Sequence, residues 1–184
     1  MCFNRIPNDR INMKKDRPLL LHKPSGLKQL LLAAFTSCLL LAACNKIDLY
    51  EKVEPIPDHS WQSTYKPSFT FHIEDTTSPY QLYVLLRHNN QYNYNNLWIT
   101  LHTKSPDGTV SKAQYELPLA TADKGWLGSG MDDLYEHRIA LTPINQNFYF
   151  KKAGDYTFTL EQIMREDPLE HVLNVGLRIE KKPR

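Results

Sequence analysis

The chain has 184 residues, 41% of them hydrophobic, and its 22 basic and 20 acidic residues give a formal net charge of +2. Seven basic and two acidic residues lie in the first 44 positions, so the remainder carries fifteen basic and eighteen acidic residues, a net charge of −3. Proteins that bind nucleic acid carry a basic stripe that neutralises phosphates. A mildly acidic chain therefore argues against nucleic acid as a partner.

The N-terminal segment has the layout of a secretory signal. Lys23 and Lys28 precede an apolar run that begins at residue 30 and ends in two alanines, and Cys44 follows directly. A positive region, a short apolar run and small residues are typical of a signal peptide. The sequence Leu-Ala-Ala-Cys at 41–44 resembles a bacterial lipobox, in which the cysteine thiol receives diacylglycerol.

The alternative for Cys44 is an ordinary thiol that follows a transmembrane anchor. A spanning helix needs about 20 apolar residues, whereas the run over 30–43 has 14 residues and leads at once into polar sequence. We therefore predict an N-terminal extension and lipoprotein signal peptide over 1–43 and lipidation of Cys44. Translation from Met1 or from Met13 gives the same mature protein.

The placement of the cysteines excludes a disulfide in the mature chain. Cys2 and Cys38 fall in the predicted precursor segment, and the lipid occupies Cys44. Residues 44–67 are predicted to be the lipidated cysteine and a tether that becomes the domain edge, because three prolines disfavour helix and central strand. No acidic run follows Cys44, which favours a periplasm-facing position over display on the cell exterior.

From residue 68 onward the hydrophobic pattern is typical of strands. Phe69, Phe71 and Ile73 alternate with polar residues, whereas 80–86 is apolar at nearly every position, as in a central strand covered on both faces. Other strand-like segments are 97–104, 110–117, 135–141, 156–164 and 172–180. About eight strands predict an all-β fold over 68–184, an antiparallel β-sandwich of jelly-roll or immunoglobulin-like type, with its topology left open.

Several motifs become recognisable in the second half of the chain. They are YNYNNLW at 92–98, GWLGSG at 125–130 followed by DLYE at 133–136, GDYTF at 154–158, EQIMR at 161–165 and NVGL at 174–177. In this order, after a lipobox, they resemble the gliding motility lipoprotein GldH family of Bacteroidota. The resemblance implies a cell-envelope lipoprotein associated with the gliding machinery, which works alongside the type IX secretion system. It brings no established catalytic residues.

The residues themselves offer little catalytic chemistry. Asp132 and Asp133 are adjacent and would point to opposite faces of a strand, so a shared role as acid and base is not expected. The six histidines after Cys44 form no close ligand pair in sequence, and Gly-Ser-Gly at 128–130 lacks the spacing of a hydrolase nucleophile elbow. We therefore predict that the protein is not an enzyme and has no cofactor and no metal site.

Two functions remain open for the domain. In the first, it binds other envelope or gliding proteins, and the aromatic residues of two loops supply apolar anchors, because buried aromatics carry much of the energy of an interface. In the second, the same residues form a platform for glycan rings, with polar neighbours that bond sugar hydroxyls. The candidate contact residues are Trp126, Tyr92, Tyr94, Asp132, Arg87 and Glu136.

Core packing is the structural alternative for the two tryptophans of these motifs. Trp98 lies in a predicted strand, which favours a place in the core, whereas Trp126 lies among glycines and both places stay open for it.

Together, the lipobox and the family resemblance predict a non-enzymatic outer-membrane lipoprotein, lipid-anchored and periplasm-facing. Its expected role is as a component or accessory of gliding and secretion machinery, with the glycan-binding module as the alternative.

Overall fold

The computed structural model describes residues 48–182, which all belong to one compact unit. Its strands are β1 (Asp48–Pro55), β2 (Ser60–Trp61), β3 (Ser68–Ile73), β4 (Tyr80–Asn89), β5 (Asn96–Lys104), β6 (Val110–Pro118), β7 (Ala120–Thr121), β8 (Gly125–Trp126), β9 (Ser129–Met131), β10 (Leu134–Ala140), β11 (Gly154–Gln162), β12 (Leu169–Glu170) and β13 (Val172–Lys181). A single 3₁₀ turn, Pro57–His59, is the only helical element in this part of the chain. None of the helical structure within 48–182 is long and apolar enough to cross a membrane.

Two antiparallel sheets form the body of the domain. One has the strand order β1-β13-β4-β10-β9 and the other β3-β11-β5-β6, while the pairs β12-β2 and β7-β8 are small separate ladders. The predicted all-β sandwich is confirmed. The predicted number of strands was too low, because residues 48–182 contain thirteen strands. Five of these have only two or three residues, too short for a period-two pattern to reveal them.

The core lies between the facing sides of the two sheets, and in strands such as β3 and β11 alternate residues are buried there. In β4 the residues that point inward include Val84 and Leu86, and in β5 they include Leu97 and Ile99, all at most 1% exposed. Burial of each such side chain stabilises the fold by about 1.5–3 kcal/mol. Strand β4 lies third of five in its sheet, as its apolar sequence predicts.

Strand β1 lies inside the segment assigned to the tether, and this is a correction to the predicted domain boundary. It pairs antiparallel with β13 from Tyr50 opposite Ile179 to Pro55 opposite Asn174. Its place at the edge of the sheet agrees with the prolines that follow it. The sequence of β1 lacks the alternating apolar pattern that identifies a strand, because the neighbours of Val53 are charged. Val53 itself is 44% exposed.

Candidate functional site

The candidate site is built by residues 119–133, which connect β6 to β10 and fold back over the end of β4. Leu127 donates its backbone N–H to the carbonyl of Leu119 at 2.8 Å, and β8 pairs with β7. Strand β9 then adds to the edge of β10, with Ser129 opposite Glu136. Positive φ angles at Gly125 (66°) and Asp132 (55°) allow the two reversals of the chain.

An aromatic cluster lies beneath this segment. The ring of Trp126 lies 4.4 Å from that of His88 and 5.4 Å from that of Tyr135, measured between centroids. Tyr92 packs against the same histidine at 5.0 Å and is only 4% exposed, while Tyr94 meets Tyr92 edge-on at 5.9 Å. These contacts hold the 119–133 segment against the sheet, since aromatic pairs add stability beyond their buried area.

At the base of the cluster two buried histidines bond to each other. The Nε2 atoms of His88 and His137 are 2.9 Å apart, and Nδ1 of His88 lies 2.7 Å from the carbonyl oxygen of Asn89. Nδ1–H of His88 therefore donates to that carbonyl, which leaves its Nε2 to accept from Nε2–H of His137. Burial lowers the pKa of His88 and lowers that of His137 to about 4, so the pair is neutral at pH 7.

This histidine pair lacks further metal ligands. Within residues 48–182, no group of three or more His, Cys, Asp or Glu side chains is placed to hold a metal ion. A structural zinc site uses four such ligands. The pair therefore serves as a buried hydrogen-bonded contact between β4 and β10.

The opposite face of the same strands carries an open cleft of about 650 Å³. On the sheet side it is lined by Arg87, Glu136 and Arg138, whose positions on β4 and β10 point away from the core. Arg87 donates from Nη2 to Oε2 of Glu136 at 2.7 Å. The guanidinium of Arg138 bonds to Glu180 and lies 4.2 Å from the centre of the Tyr83 ring. The floor of this outer cleft is thus a set of paired charges.

The other side of the outer cleft is apolar and exposed. We call Leu127, Met131 and Leu134 the apolar rim; they are 45%, 77% and 39% exposed, respectively. Single exposed apolar residues are ordinary, but a cluster on a folded segment beside a cleft is typical of an interaction surface. Leu127 and Met131 are large apolar residues in a glycine-rich segment, which the sequence alone reveals as unusual. Leu134 and Arg138 were not identified, since only the β10 register brings them to the cleft.

The structure brings only part of the predicted contact set to this surface. Arg87 lines the outer cleft, and Asp132 is exposed at the β9–β10 turn without lining the cleft. Tyr92 is buried and Trp126 is partly buried, and both pack inside the aromatic cluster. Cys44 lies outside the described residues.

The prediction that Trp98 lies in the core is wrong. It is 39% exposed, although its position in β5 favoured the core. Along β5 the buried residues are Leu97 and Ile99, so Trp98 points to the outer face of the four-stranded sheet. This face lies on the other sheet from the outer cleft, and Trp98 is no part of that site.

A sandwich domain that follows a lipobox-like segment is the layout of a lipoprotein. The GldH lipoprotein family model matches residues 48–179, and the chain belongs to this family. The match covers nearly all of the described residues, including both main sheets and the 119–133 segment.

Two relatives extend this assignment. The gliding motility lipoprotein GldH homolog of Christiangramia forsetii is 31% identical over 150 residues, covering 78% of this chain and 90% of the relative. The gliding motility lipoprotein GldH of Flavobacterium johnsoniae is 30% identical over 167 residues, covering 87% and 98%. Among solved structures, a non-crystalline cellulose specific carbohydrate-binding module, CBM28, aligns over 71% of this chain and 70% of its own length. Its TM-score of 0.37 and identity of 11% are too low to support an inference.

Proposed function

We propose that the protein is a non-catalytic outer-membrane lipoprotein of the gliding motility and type IX secretion-associated envelope machinery, anchored through diacylated Cys44 and facing the periplasm. Its domain binds a partner protein of that machinery through the outer cleft. The observation that carries the binding role is the apolar rim beside the Arg87–Glu136 pair, on one face of a rigid sheet. The family and the names of both relatives support the association with gliding.

The composition of the outer cleft supports a contact role over a catalytic one. Its charged side chains are engaged in ion pairs, Arg87 with Glu136 and Arg138 with Glu180, and the apolar side chain of Met131 beside them is 77% exposed. Protein interfaces combine apolar contacts with charged residues that fix the orientation of the partner. A lipid anchor would add a high local concentration at the membrane surface, which favours weak partners.

The glycan-binding alternative is less well supported at these residues. A sugar ring stacks on an open aromatic face, whereas Tyr92 is buried and Trp126 packs among His88, Tyr92 and Tyr135. Arg87 and Glu136 form an ion pair with each other, with which a sugar hydroxyl would compete.

The binding role is tested by replacing Met131 with photoreactive benzoylphenylalanine in intact cells. Irradiation should cross-link a gliding or secretion component in near-stoichiometric amount. The matched control is the same replacement at Val110, which is 61% exposed but lies on β6 of the other sheet. Equal adducts from both positions, or none from position 131 in normally processed protein, would refute the proposed surface.

The anchor is tested separately by cell fractionation. The Cys44→Ser protein should leave the outer-membrane fraction, and protease added to intact cells should spare the wild-type domain. Continued outer-membrane fractionation of Cys44→Ser would contradict the lipid anchor. Digestion by external protease would contradict the periplasmic orientation without affecting the binding role.

A further inference from the structure

A second cleft, unrelated to the outer cleft, opens between the two sheets beside β6. It has a volume of about 440 Å³, within the range of small-molecule sites. Its apolar walls come from β5, β6 and the segment 141–152 between β10 and β11. They include Leu101, Tyr115, Leu141, Phe148 and Phe150. We call it the inter-sheet cleft.

The inter-sheet cleft exists because the sandwich is open along β6. Residues of β6 that are opposite core positions of β5 point toward the other sheet, as Ala113 does opposite Leu101. Ala113 is nevertheless exposed, and Tyr115 is only partly buried. No strand of the five-stranded sheet covers them, so apolar inner surface that a closed sandwich would bury lines an accessible cavity.

The far wall of the inter-sheet cleft is a rigid aromatic group. Phe150 packs against Phe148 at 5.1 Å and against Tyr156 at 4.7 Å between ring centroids. The Tyr156 hydroxyl donates to the carbonyl oxygen of Lys152 at 3.1 Å, which fixes the chain that follows the aromatics. The cavity is therefore built by packed side chains and does not depend on a mobile loop.

One end of the inter-sheet cleft is cationic. Near the β5–β6 turn it is lined by Lys151, Lys152 and Asp107, and Lys152 pairs with Asp107 at 2.5 Å. Within residues 48–182, Lys151 forms no ion pair. The end of an apolar cavity thus carries one uncompensated positive charge.

We infer that the inter-sheet cleft binds a single acyl chain with an anionic head group, the chain among Leu101, Tyr115 and Phe148 and the head group at Lys151. Shape and charge both point to this class of ligand, since an apolar channel with one cation at its end complements an amphiphile of opposite charge. The head group is a carboxylate if the ligand is a free fatty acid and a phosphate if it is a lysophospholipid, which also has a single chain. This site is independent of the proposed protein contact at the outer cleft.

The test is photoaffinity labelling of protein purified from cells with its native N-terminus and transferred from detergent to an amphipathic polymer. The probe is palmitic acid that carries a diazirine near the end of its chain, and labelled peptides are mapped by mass spectrometry. Labels should concentrate on residues of β5, β6 and 148–150. Labels spread evenly over surface peptides would overturn the site.

Two substitutions on adjacent residues of β6 give a matched comparison. Ala113→Trp fills the inter-sheet cleft and should reduce labelling about tenfold, while Gln114→Trp, on the opposite face of the same strand, should leave it within about twofold. Should Ala113→Trp fail to fold, Ser111→Phe blocks the same wall. Unchanged labelling of a folded cleft-filling variant would refute the proposal.

Competition identifies the head group. Unlabelled palmitate and palmitoyl lysophosphatidylglycerol serve as competitors, and the stronger one identifies carboxylate or phosphate as the natural head group. Lys151→Gln should weaken competition by palmitate about fivefold, which is the size of one exposed charge interaction. Competition by palmitate methyl ester, which has no charge, should be unaffected. Equal effects on the acid and the ester would overturn the role of Lys151, and failure of both competitors would overturn the ligand class.

Discussion

Trp126 holds the 119–133 segment against the sheet, whereas Trp98 contributes little to packing. Trp126→Ala removes ring contacts with His88, Tyr92 and Tyr135, so we expect the free energy of unfolding to fall by about 2–3 kcal/mol. Trp98→Ala, at a position 39% exposed, should cost less than about 1 kcal/mol. Urea denaturation followed by circular dichroism measures both, and equal losses would contradict this assignment.

The two tryptophans also show what the sequence could reveal about single residues. The phase of alternation in β5 already placed Trp98 on the side of Thr100 and His102, opposite the apolar Leu97 and Ile99. Residue type was the weaker guide there, because strand membership does not decide which face a side chain occupies. Trp126 lies in a strand of only two residues, so no alternating pattern predicts which way its side chain points. Its partners His88 and Tyr135 meet it only through tertiary contacts distant in sequence.

The buried histidine pair makes the domain sensitive to mild acid. Folding lowers the pKa of His137 to about 4, against about 6.5 in the unfolded chain. The unfolded chain thus binds more protons between these values, so stability is fully present above pH 6.5 and is lost as the pH falls toward 4. We expect a loss of roughly 3 kcal/mol across this window.

Unfolding measured at several pH values between 4.5 and 7.5 tests this. His137→Leu should be less stable at pH 7, because Nε2 of His88 loses its donor, yet should show a shallower dependence on pH. Ile139→Ala, on the same strand, serves as control, because it removes a partly buried apolar side chain and no titratable group. It should lower the stability and retain the wild-type slope. Carboxylates such as Asp167, whose folded pKa is lowered, lose their contribution below about pH 4, outside this window. An unchanged slope in His137→Leu would exclude the pair as its source.

At the scale of elements, the docking of β1 depends on a glycine. A Cβ atom at Gly176 would lie 2.7 Å from the backbone carbonyl oxygen of Lys52 and 2.8 Å from Cγ2 of Val53. Backbone cannot yield as a flexible side chain can, so Gly176→Ala should displace β1 and destabilise the domain by about 1–3 kcal/mol. Hydrogen exchange should show faster exchange of the 50–54 amides in particular. Asn174→Ala, nearby on β13, is the control and should leave that exchange unchanged.

Strand β1 explains why the domain boundary was predicted too late. It is held by backbone pairing with β13, which requires no alternating apolar pattern in β1, and its outward side chains are charged or exposed. The strongly patterned β3 and β11 were found because alternate residues reach the core. Periodicity reports burial, and an edge strand that buries one face only weakly leaves little trace.

At the scale of the whole molecule, the sandwich was predictable and the pairing of its strands was not. Alternating apolar residues require a second layer to cover them, which fixes the class of fold. Which strands become neighbours depends on contacts between residues far apart in the sequence, such as Phe71 opposite Tyr156. Both clefts arise from these pairings. The outer cleft needs the register of β10 on β4, and the inter-sheet cleft needs β6 to extend past the facing sheet.

The two clefts share no lining residue and lie on different strand pairs, which predicts that their functions separate. Met131→Glu should reduce recovery of the partner protein about tenfold and leave labelling by the photoreactive palmitate unchanged. Ala113→Trp should reduce labelling and leave partner recovery unchanged. The double variant should show both losses and no further change, because effects at sites without common contacts add. Partner recovery and labelling measured on the same four proteins decide this. If Ala113→Trp also lowered partner recovery, acyl binding and protein binding would be coupled. Binding of the partner protein would then depend on the acyl ligand.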